Sequence, residues 1–230
     1  MGIKERQERD REAVRRAILD AARDLFVTEG FQHVSIRKIA ERIEYSPAAI
    51  YSYFPSKDDI FYALAEEGFR LLCDGGAAAR AMAPDAPPSL DRVRGVFRRL
   101  YEFSREQPQY FALMFMERSV PRISREYERF AVARTRKQQV TAAIQACIDS
   151  GDLPQSVKPL VAMRVVMAGL LGIAAMRLSE RLAPEENADD LAADALDVAL
   201  AGLRSGVALR SAAEATACPL DEPMTTEQAS

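Results

Sequence analysis

Apolar residues recur three and four positions apart along most of this chain, which is the period of an amphipathic helix, and no stretch shows the strict alternation of a half-buried strand. The pattern predicts an all-α fold. A first helix begins before Arg11 and reaches Thr28, and prolines or glycines separate the helices that follow. The later helices are expected at about Leu90 to Glu106, Gln109 to Glu117, Ser124 to Ser150, Pro159 to Glu180 and Glu185 to Ser205.

The stretch 34–57 predicts two short helices and the start of a third. Ser35 can cap the first of them, because the apolar residues that follow it recur at helical spacing. Ser46 offers a second N-cap directly before Pro47, whose missing N–H costs nothing at the first helical position. Ser56 caps the third helix. Two short helices joined by a tight turn are the geometry of a helix-turn-helix.

The second short helix has one apolar side and one side suited to a DNA groove. Ile50 and Phe54 lie four residues apart and are expected to turn inward. The side left for a groove consists of Pro47, Ala48, Ala49, Tyr51, Ser52 and Tyr53. Alanine methyls can contact the thymine methyl, and tyrosine hydroxyls can reach phosphate oxygens. The pattern therefore favours a DNA-reading helix.

Three segments at fixed offsets resemble the N-terminal DNA-binding domain of the tetracycline-repressor (TetR) family. They read TEGF at 28–31, SIRKIA at 35–40 and SPAAIYSYFPSK at 46–57, within matches that span roughly 17–64. The resemblance implies an all-helical homodimer with a three-helix DNA-reading head and a helical ligand-binding and dimerisation body. It also implies binding to a palindromic operator in double-stranded DNA, most simply as a repressor that a small-molecule effector releases.

The resemblance assigns nine residues of the head to DNA by their position in the family motif. Those expected to face bases are Arg37, Ala48, Ala49 and Tyr51, those expected to hold phosphates are Ser35, Tyr51, Tyr53 and Lys57, and Ser46 and Pro47 complete the set. The chain departs from the family pattern at Val34, where Thr is usual, and at Glu44 and Tyr45, where Gly and a small aliphatic residue are usual. Glu44 must therefore adopt the turn conformation without the freedom of glycine.

Breaks in the helical pattern divide the chain into three parts. They are a DNA-binding head at 10–70 with its helix-turn-helix at about 35–54, a ligand-binding and dimerisation body at 71–205, and an acidic tail at 206–230 that is predicted to be disordered. A long helix from Lys57 to about Met82 connects head and body. Ligand binding is expected to tilt this helix and to change the spacing of the two heads.

The helix from Pro159 is apolar nearly all round, so it must be covered on every side. In the TetR family the last two helices of each subunit form a four-helix dimer interface. That resemblance assigns a dimer interface to Leu170, Ile173, Leu196 and Leu200. The alternative is that both helices are simply the buried core of a monomer.

Adaptable aromatic and methionine side chains make up a candidate ligand pocket. They are Tyr101, Tyr110, Phe111, Met114, Phe115, Met163 and Met167. Such side chains line apolar pockets, but at helical spacing they are also ordinary core residues. The expectation of a pocket for an apolar or amphipathic effector therefore comes from the family resemblance.

Composition limits the functional classes to which the chain can belong. A net charge of −3 provides no bulk attraction to nucleic acid, so DNA affinity must come from local patches. One histidine, three widely separated cysteines and no glycine-rich phosphate loop provide no basis for a metal site, a cofactor or an active site, which argues against an enzyme. The other class left open is a helical adaptor that binds proteins and has lost DNA binding.

The remaining features bear on location and on the N-terminus. Cysteine usage favours a reducing cytoplasm, where a regulator would act on the bacterial nucleoid, and no membrane partner is expected because the longest apolar run, 165–176, is too short to span one. Six basic residues near the N-terminus are Lys4, Arg6, Arg9, Arg11, Arg15 and Arg16. Acids are interleaved with them, which indicates a solvated face; the alternative is a flexible arm that contacts phosphates or a minor groove.

Overall fold

The computed structural model describes residues 2–74, 89–121 and 130–212, and all regular elements within these ranges are helical, which confirms the all-α prediction. The helices are α1 (Ile3–Glu29), α2 (Ile36–Arg42), α3 (Pro47–Tyr51), α4 (Lys57–Cys73), α5 (Leu90–Glu106), α6 (Pro108–Phe111), α7 (Ala131–Asp149), α8 (Pro159–Leu178) and α9 (Ala188–Arg204). Short 3-10 turns lie at Phe31–His33 and Arg210–Ala212, and a π-helical turn at Ala112–Met116 follows α6 directly.

Two helices are shorter than the sequence pattern predicted. α4 ends at Cys73 instead of near Met82, because Asp74 already serves as its C-cap, and residues 75–82 lie outside the described ranges. α7 begins at Ala131 instead of Ser124, and residues 122–129 also lie outside those ranges. Residues 213–230 of the predicted tail lie outside the described ranges as well.

Smaller differences have local causes. α9 begins at Ala188, three residues after the predicted Glu185, because the Asn187 side chain accepts the backbone N–H groups of Asp189 and Asp190 and so acts as the N-cap. α8 ends at Leu178, two residues early. The helix predicted from residue 109 to 117 changes from α to π hydrogen bonding half-way along.

The head is built on an aromatic and aliphatic core shared by α1, α2, α3 and α4. The ring centroids of Phe26 and Phe31 are 4.9 Å apart, and those of Phe31 and Phe61 are 5.8 Å apart. Ile39 and Ile50 are completely buried against them. This core holds the two short helices in place, since neither is long enough to be stable alone.

In the body, α8 packs against α5, α7 and α9. Polar contacts fix these helices relative to one another: an Arg177 terminal nitrogen donates to the Ser104 carbonyl at 2.7 Å, and the Tyr101 hydroxyl donates to an Asp189 oxygen at 2.8 Å. Burial and this hydrogen bond raise the pKa of Tyr101 to about 12.

Tyr110 links the body to the head. Its hydroxyl receives long hydrogen bonds from Arg16 and Arg23 of α1, at 3.5 Å and 3.4 Å, and the Arg23 guanidinium lies 5.2 Å from the centroid of its ring. On the other side, a Cβ placed on Gly68 of α4 would lie 2.3 Å from the Met114 sulfur and 3.3 Å from the Tyr110 ring. Glycine thus allows α4 to approach the π-helical turn closely.

Candidate nucleic-acid interface

The helix-turn-helix has the two-sided character that its sequence predicted. Ile50 and Phe54 are 0% and 5% exposed, whereas Tyr51 is 55% exposed. Of the nine residues assigned to DNA, the exposed ones are Ser35, Arg37, Ser46, Pro47, Ala48 and Tyr51, and the half-buried ones are Ala49, Tyr53 and Lys57. The structure therefore leaves six of the nine exposed and three half-buried, while their roles toward DNA stay predictions.

Each short helix begins at a serine that caps it. Ser35 accepts the N–H of Lys38 and Ser46 accepts the N–H of Ala49, both at 3.2 Å. Because a hydroxyl can accept one hydrogen bond and donate another, both serines keep a proton with which to bind a phosphate. The predicted N-caps are thus confirmed, and they leave these hydroxyls usable at a DNA surface.

The turn between α2 and α3 contains a residue in a left-handed conformation. Glu44 has φ of +60°, and the N–H of Tyr45 donates to the Ala40 carbonyl at 2.9 Å. A glutamate here carries the steric cost that glycine would avoid. Tyr45 is 45% exposed in this turn, so its ring adds to the surface of the head instead of packing into the core.

Two of the predicted DNA contacts are cationic, and their surroundings differ. Arg37 is exposed, and its Nε donates to Glu41 at 2.8 Å, so its terminal nitrogens remain as donors. The Lys57 ammonium instead donates to the carbonyls of Phe31 and Val34, at 2.7 Å and 3.0 Å, and lies 4.2 Å from the Phe31 ring centroid. Burial lowers the pKa of Lys57. The two hydrogen bonds tie α4 to the loop before α2, and they leave one of the three N–H groups of Lys57 for a phosphate.

Two arginines of α1 lie beside this surface; they are not among the nine residues assigned to DNA, although both belong to the basic N-terminal segment noted in the sequence. The Arg11 guanidinium carbon is 5.9 Å from the Tyr53 ring centroid, and that of Arg15 is 5.4 Å from the Phe54 ring centroid. An open cleft of about 470 Å³ is lined by Gln7, Asp10, Arg11, Val14, Ser52 and Tyr53. The four-residue spacing of the two arginines on one helix face was the available sequence signal.

The predicted pocket residues are spread over four elements of the body. Tyr101 lies on α5, Met163 and Met167 on α8, and the other four on α6 and the π-helical turn. Tyr110 and Met114 face Gly68 at the junction with the head. The Phe111 and Phe115 centroids are 5.1 Å apart, and the Phe115 ring meets Phe69 of α4 edge-on. Their assignment to an effector pocket stays a prediction.

The predicted dimer residues turn inward and are corrected here. Leu170, Ile173, Leu196 and Leu200 are between 2% and 7% exposed within the single chain, since they form the packing between α8, α9 and their neighbours. The exposed apolar residues of these two helices include Val165, Ala168, Gly169, Gly172, Met176, Leu191 and Val198. We call this set the α8/α9 outer face.

Among the described residues, α8 is the one helix with the length and composition to cross a membrane, with a mean hydropathy of 1.9 and 33% of the relevant window buried. A single helix of this kind is weak evidence, because core helices of soluble proteins share its composition. Within the same ranges, no three His, Cys, Asp or Glu side chains are grouped so as to hold a metal ion.

Two family models match the chain. The model described as "Bacterial regulatory proteins, tetR family" matches residues 18–64, and the one described as "Tetracyclin repressor-like, C-terminal domain" matches residues 93–199. The first covers the helix-turn-helix and the second covers the helical body, so together they account for most of the described residues.

Curated relatives match over part of their length. The chain is 42% identical over 55 residues to the HTH-type transcriptional repressor Rv1474c of Mycobacterium tuberculosis, which covers 24% of this chain and 29% of that protein. It is 33% identical over 105 residues to the HTH-type transcriptional regulator RutR of Escherichia coli, which covers 46% of this chain and 48% of that protein. The match thus spans less than half the length of either relative.

Solved structures share the fold over a larger part of the chain. The TetR-family regulator PfmR from Thermus thermophilus superposes with a TM-score of 0.62 at 22% identity, covering 81% of this chain and 98% of the other. FadR from Bacillus subtilis in complex with stearoyl-CoA superposes with a TM-score of 0.66 at 14% identity, covering 81% and 97%. The head and the body are therefore arranged as in known regulators.

Proposed function

This chain belongs to the TetR family of bacterial regulatory proteins, and we propose that it is a DNA-binding transcription repressor. In this proposal, a homodimer binds a palindromic operator and a small apolar or amphipathic molecule releases it. The protein would act in the cytoplasm, on the nucleoid.

The observation that carries the proposal is the arrangement of α3. The helix is capped by Ser46, anchored through Ile50, and exposes Pro47, Ala48 and Tyr51 on one side. The exposed side is small at the helix start and aromatic at its end, which suits entry into a major groove with the backbone close to base edges. Hydroxyl and cationic donors at both flanks would hold phosphates and fix the register.

The α8/α9 outer face supports the homodimer. It combines exposed apolar side chains with Gly169 and Gly172, so a partner helix could approach closely. Val198 is 72% exposed, the largest exposed fraction among the large hydrophobic side chains of the described residues, and an apolar patch of this kind suits a protein–protein contact. Reading a palindromic operator requires a two-fold axis that holds two heads at the spacing of successive major grooves, about 34 Å.

The effector class is proposed from the apolar character of the body. Aromatic and methionine side chains, among them Tyr110, Met114 and Phe115, pack against α4, and such side chains can repack around an apolar molecule. The B. subtilis FadR relative holds stearoyl-CoA, which is apolar along its acyl chain. Contacts in this region would reach the head through Tyr110 and Gly68, because both lie where α4 and α1 meet the π-helical turn. Release requires that the effector bind one arrangement of this junction more tightly than the other.

The proposal is tested by fluorescence anisotropy with a labelled duplex from the intergenic region upstream of the protein's own gene and a scrambled duplex of equal length. Specific binding by two subunits per site, with a steep loss of affinity as salt rises, is expected. Tyr51→Ala should weaken binding at least tenfold, whereas Tyr51→Phe, which loses only the hydroxyl, should weaken it less.

The folded state and the dimer serve as controls for these variants. Tyr51 is exposed, so circular dichroism and light scattering should be unchanged in both. If the intergenic duplex is not preferred, selection from a random duplex library replaces it. A library that yields no preferred sequence would contradict the repressor proposal and favour a helical adaptor with an inactive head.

A further inference from the structure

The cleft between α1 and the end of α3 combines features that suit a DNA backbone. On the α3 side it is formed by Ser52 and Tyr53, which follow the DNA-reading helix directly, and on the α1 side by the face that carries Arg11. Its volume of about 470 Å³ is open to solvent. That volume lies within the ~300–1,000 Å³ of clefts that bind small molecules, so it can admit a sugar–phosphate unit.

Arg11 is placed in this cleft in a way that leaves its donors available. Its guanidinium lies over the Tyr53 ring, and an aromatic face attracts a cation without using its N–H groups. No ion pair of Arg11 occurs within the described residues. The neighbouring cations of α1 are engaged elsewhere: Arg15 pairs with Glu12, and Arg16 pairs with Asp20 at 2.7 Å.

The cleft also contains an acidic residue, which weakens the attraction of the cleft for an anion. Asp10 is one of the lining residues, and it opposes a phosphate while Arg11 favours it. A guanidinium can donate two parallel hydrogen bonds to a phosphate, whereas Asp10 can remain in solvent at the open rim. The balance predicts that neutralising Asp10 would tighten DNA binding.

This part of the chain precedes the family match. The N-terminal family model begins at residue 18, whereas the lining residues on α1 are Gln7, Asp10, Arg11 and Val14. α1 is helical from Ile3, so the segment extends the head as a helix, in contrast to the flexible arm considered from the sequence.

We propose that this cleft is a further DNA-backbone site, in which Arg11, held on the ring of Tyr53, binds a phosphate beside the base pairs that α3 reads. The inference rests on the proposed function. Because each subunit would contribute one such contact, removal of Arg11 should lower the slope of log affinity against log salt by about two for the dimer. Affinity at moderate salt should fall roughly tenfold, equally for different operator sequences.

The test compares Arg11→Ala with Arg9→Ala on the duplex that the wild-type protein binds best in the preceding experiment. Arg9 provides a matched control, because its loss changes the charge equally and it lies roughly 160° around the helix from Arg11. Arg11→Ala should show the shallower salt slope, Arg9→Ala should retain the wild-type slope, and Asp10→Asn should bind more tightly. Circular dichroism checks that α1 is intact.

The outcomes separate this inference from the proposed function. If the wild-type protein binds specifically but Arg11→Ala and Arg9→Ala show equal salt slopes, the proposed DNA-backbone site in the cleft is wrong and the repressor proposal is unaffected. Wild-type binding that does not distinguish any selected duplex from scrambled DNA would overturn both. Equal losses in the two arginine variants would show that general charge, and not the cleft, contributes the affinity.

Discussion

α3 in the head and α8 in the body show two different ways in which a helix acquires a buried and an exposed side. α3 is anchored by Ile50 and by Phe54, which follows three residues after its end, and its other positions are small or polar, so its own sequence decides which side faces the core. α8 is apolar nearly all round, and its buried side is chosen by packing against α5, α7 and α9.

The consequence is that the two helices offer surfaces of different chemistry. The exposed side of α3 is amphipathic and suits a polar, hydrated partner such as DNA. The exposed side of α8 remains apolar, with Val165 at 41% and Met176 at 39% exposure, and suits a dry contact with a second subunit. Substitutions on the two surfaces should therefore have separable effects.

The largest expected effect follows from placing a charge on the α8/α9 outer face. Val198→Glu should convert the dimer to a monomer at micromolar concentration, because a carboxylate would be buried without a partner in both copies of a symmetric interface, at a cost of ~2 kcal/mol or more per copy. Specific DNA binding should fall more than a hundredfold with it. Light scattering and anisotropy measure the two losses.

A matched control is available in the head. Val27 is 37% exposed on α1, so Val27→Glu introduces the same charge at an exposed valine far from α9. It should leave the dimer intact. A Val198→Glu protein that remains dimeric would mean that subunits associate through another surface.

The next-largest expected effect tests whether Leu170 belongs to the core of the subunit or to the dimer interface. Leu170 is 2% exposed inside the subunit, so Leu170→Ala should cost roughly 2–5 kcal/mol of unfolding free energy. Val165→Ala on the opposite side of the same helix should cost less than about 1 kcal/mol. Denaturant unfolding in the monomeric Val198→Glu background measures both, since subunit dissociation then makes no contribution. Equal costs would return Leu170 to the dimer interface.

These contrasts explain which features could be predicted from the sequence. Caps and prolines act on the residues beside them, so the starts at Ser35, Ser46 and Ser56 were predicted correctly. The exposed side of α3 could also be predicted, because the inward orientation of Ile50 and Phe54 determines which side remains outside. The inward orientation of Leu170 and the position of Arg11 over Tyr53 depend on residues distant in sequence, and no local period contains that information.

A smaller effect is expected from the cap of α3. Ser46→Ala removes the acceptor for the Ala49 N–H and should destabilise the head by about 1 kcal/mol. Hydrogen exchange should show the loss in α3 first, and operator affinity should fall because the reading helix is less ordered before binding. Ser46→Asn, which retains a cap of similar strength, should restore most of the stability. Failure of Asn to restore it would indicate that the hydroxyl has a role other than capping.

The smallest effect tests the strained turn before α3. Glu44 has φ of +60°, which costs a residue with a Cβ roughly 1–2 kcal/mol, whereas glycine loses about 0.5–1 kcal/mol in chain entropy. Glu44→Gly should therefore stabilise the protein by about 0.5–1 kcal/mol. Glu44→Ala removes the same carboxylate but keeps the strain, so it should bring no such gain. Denaturant unfolding at one fixed protein concentration compares them. If Ala stabilised as much as Gly, the benefit would come from removing a negative charge near α3, and operator affinity would then rise equally in both variants.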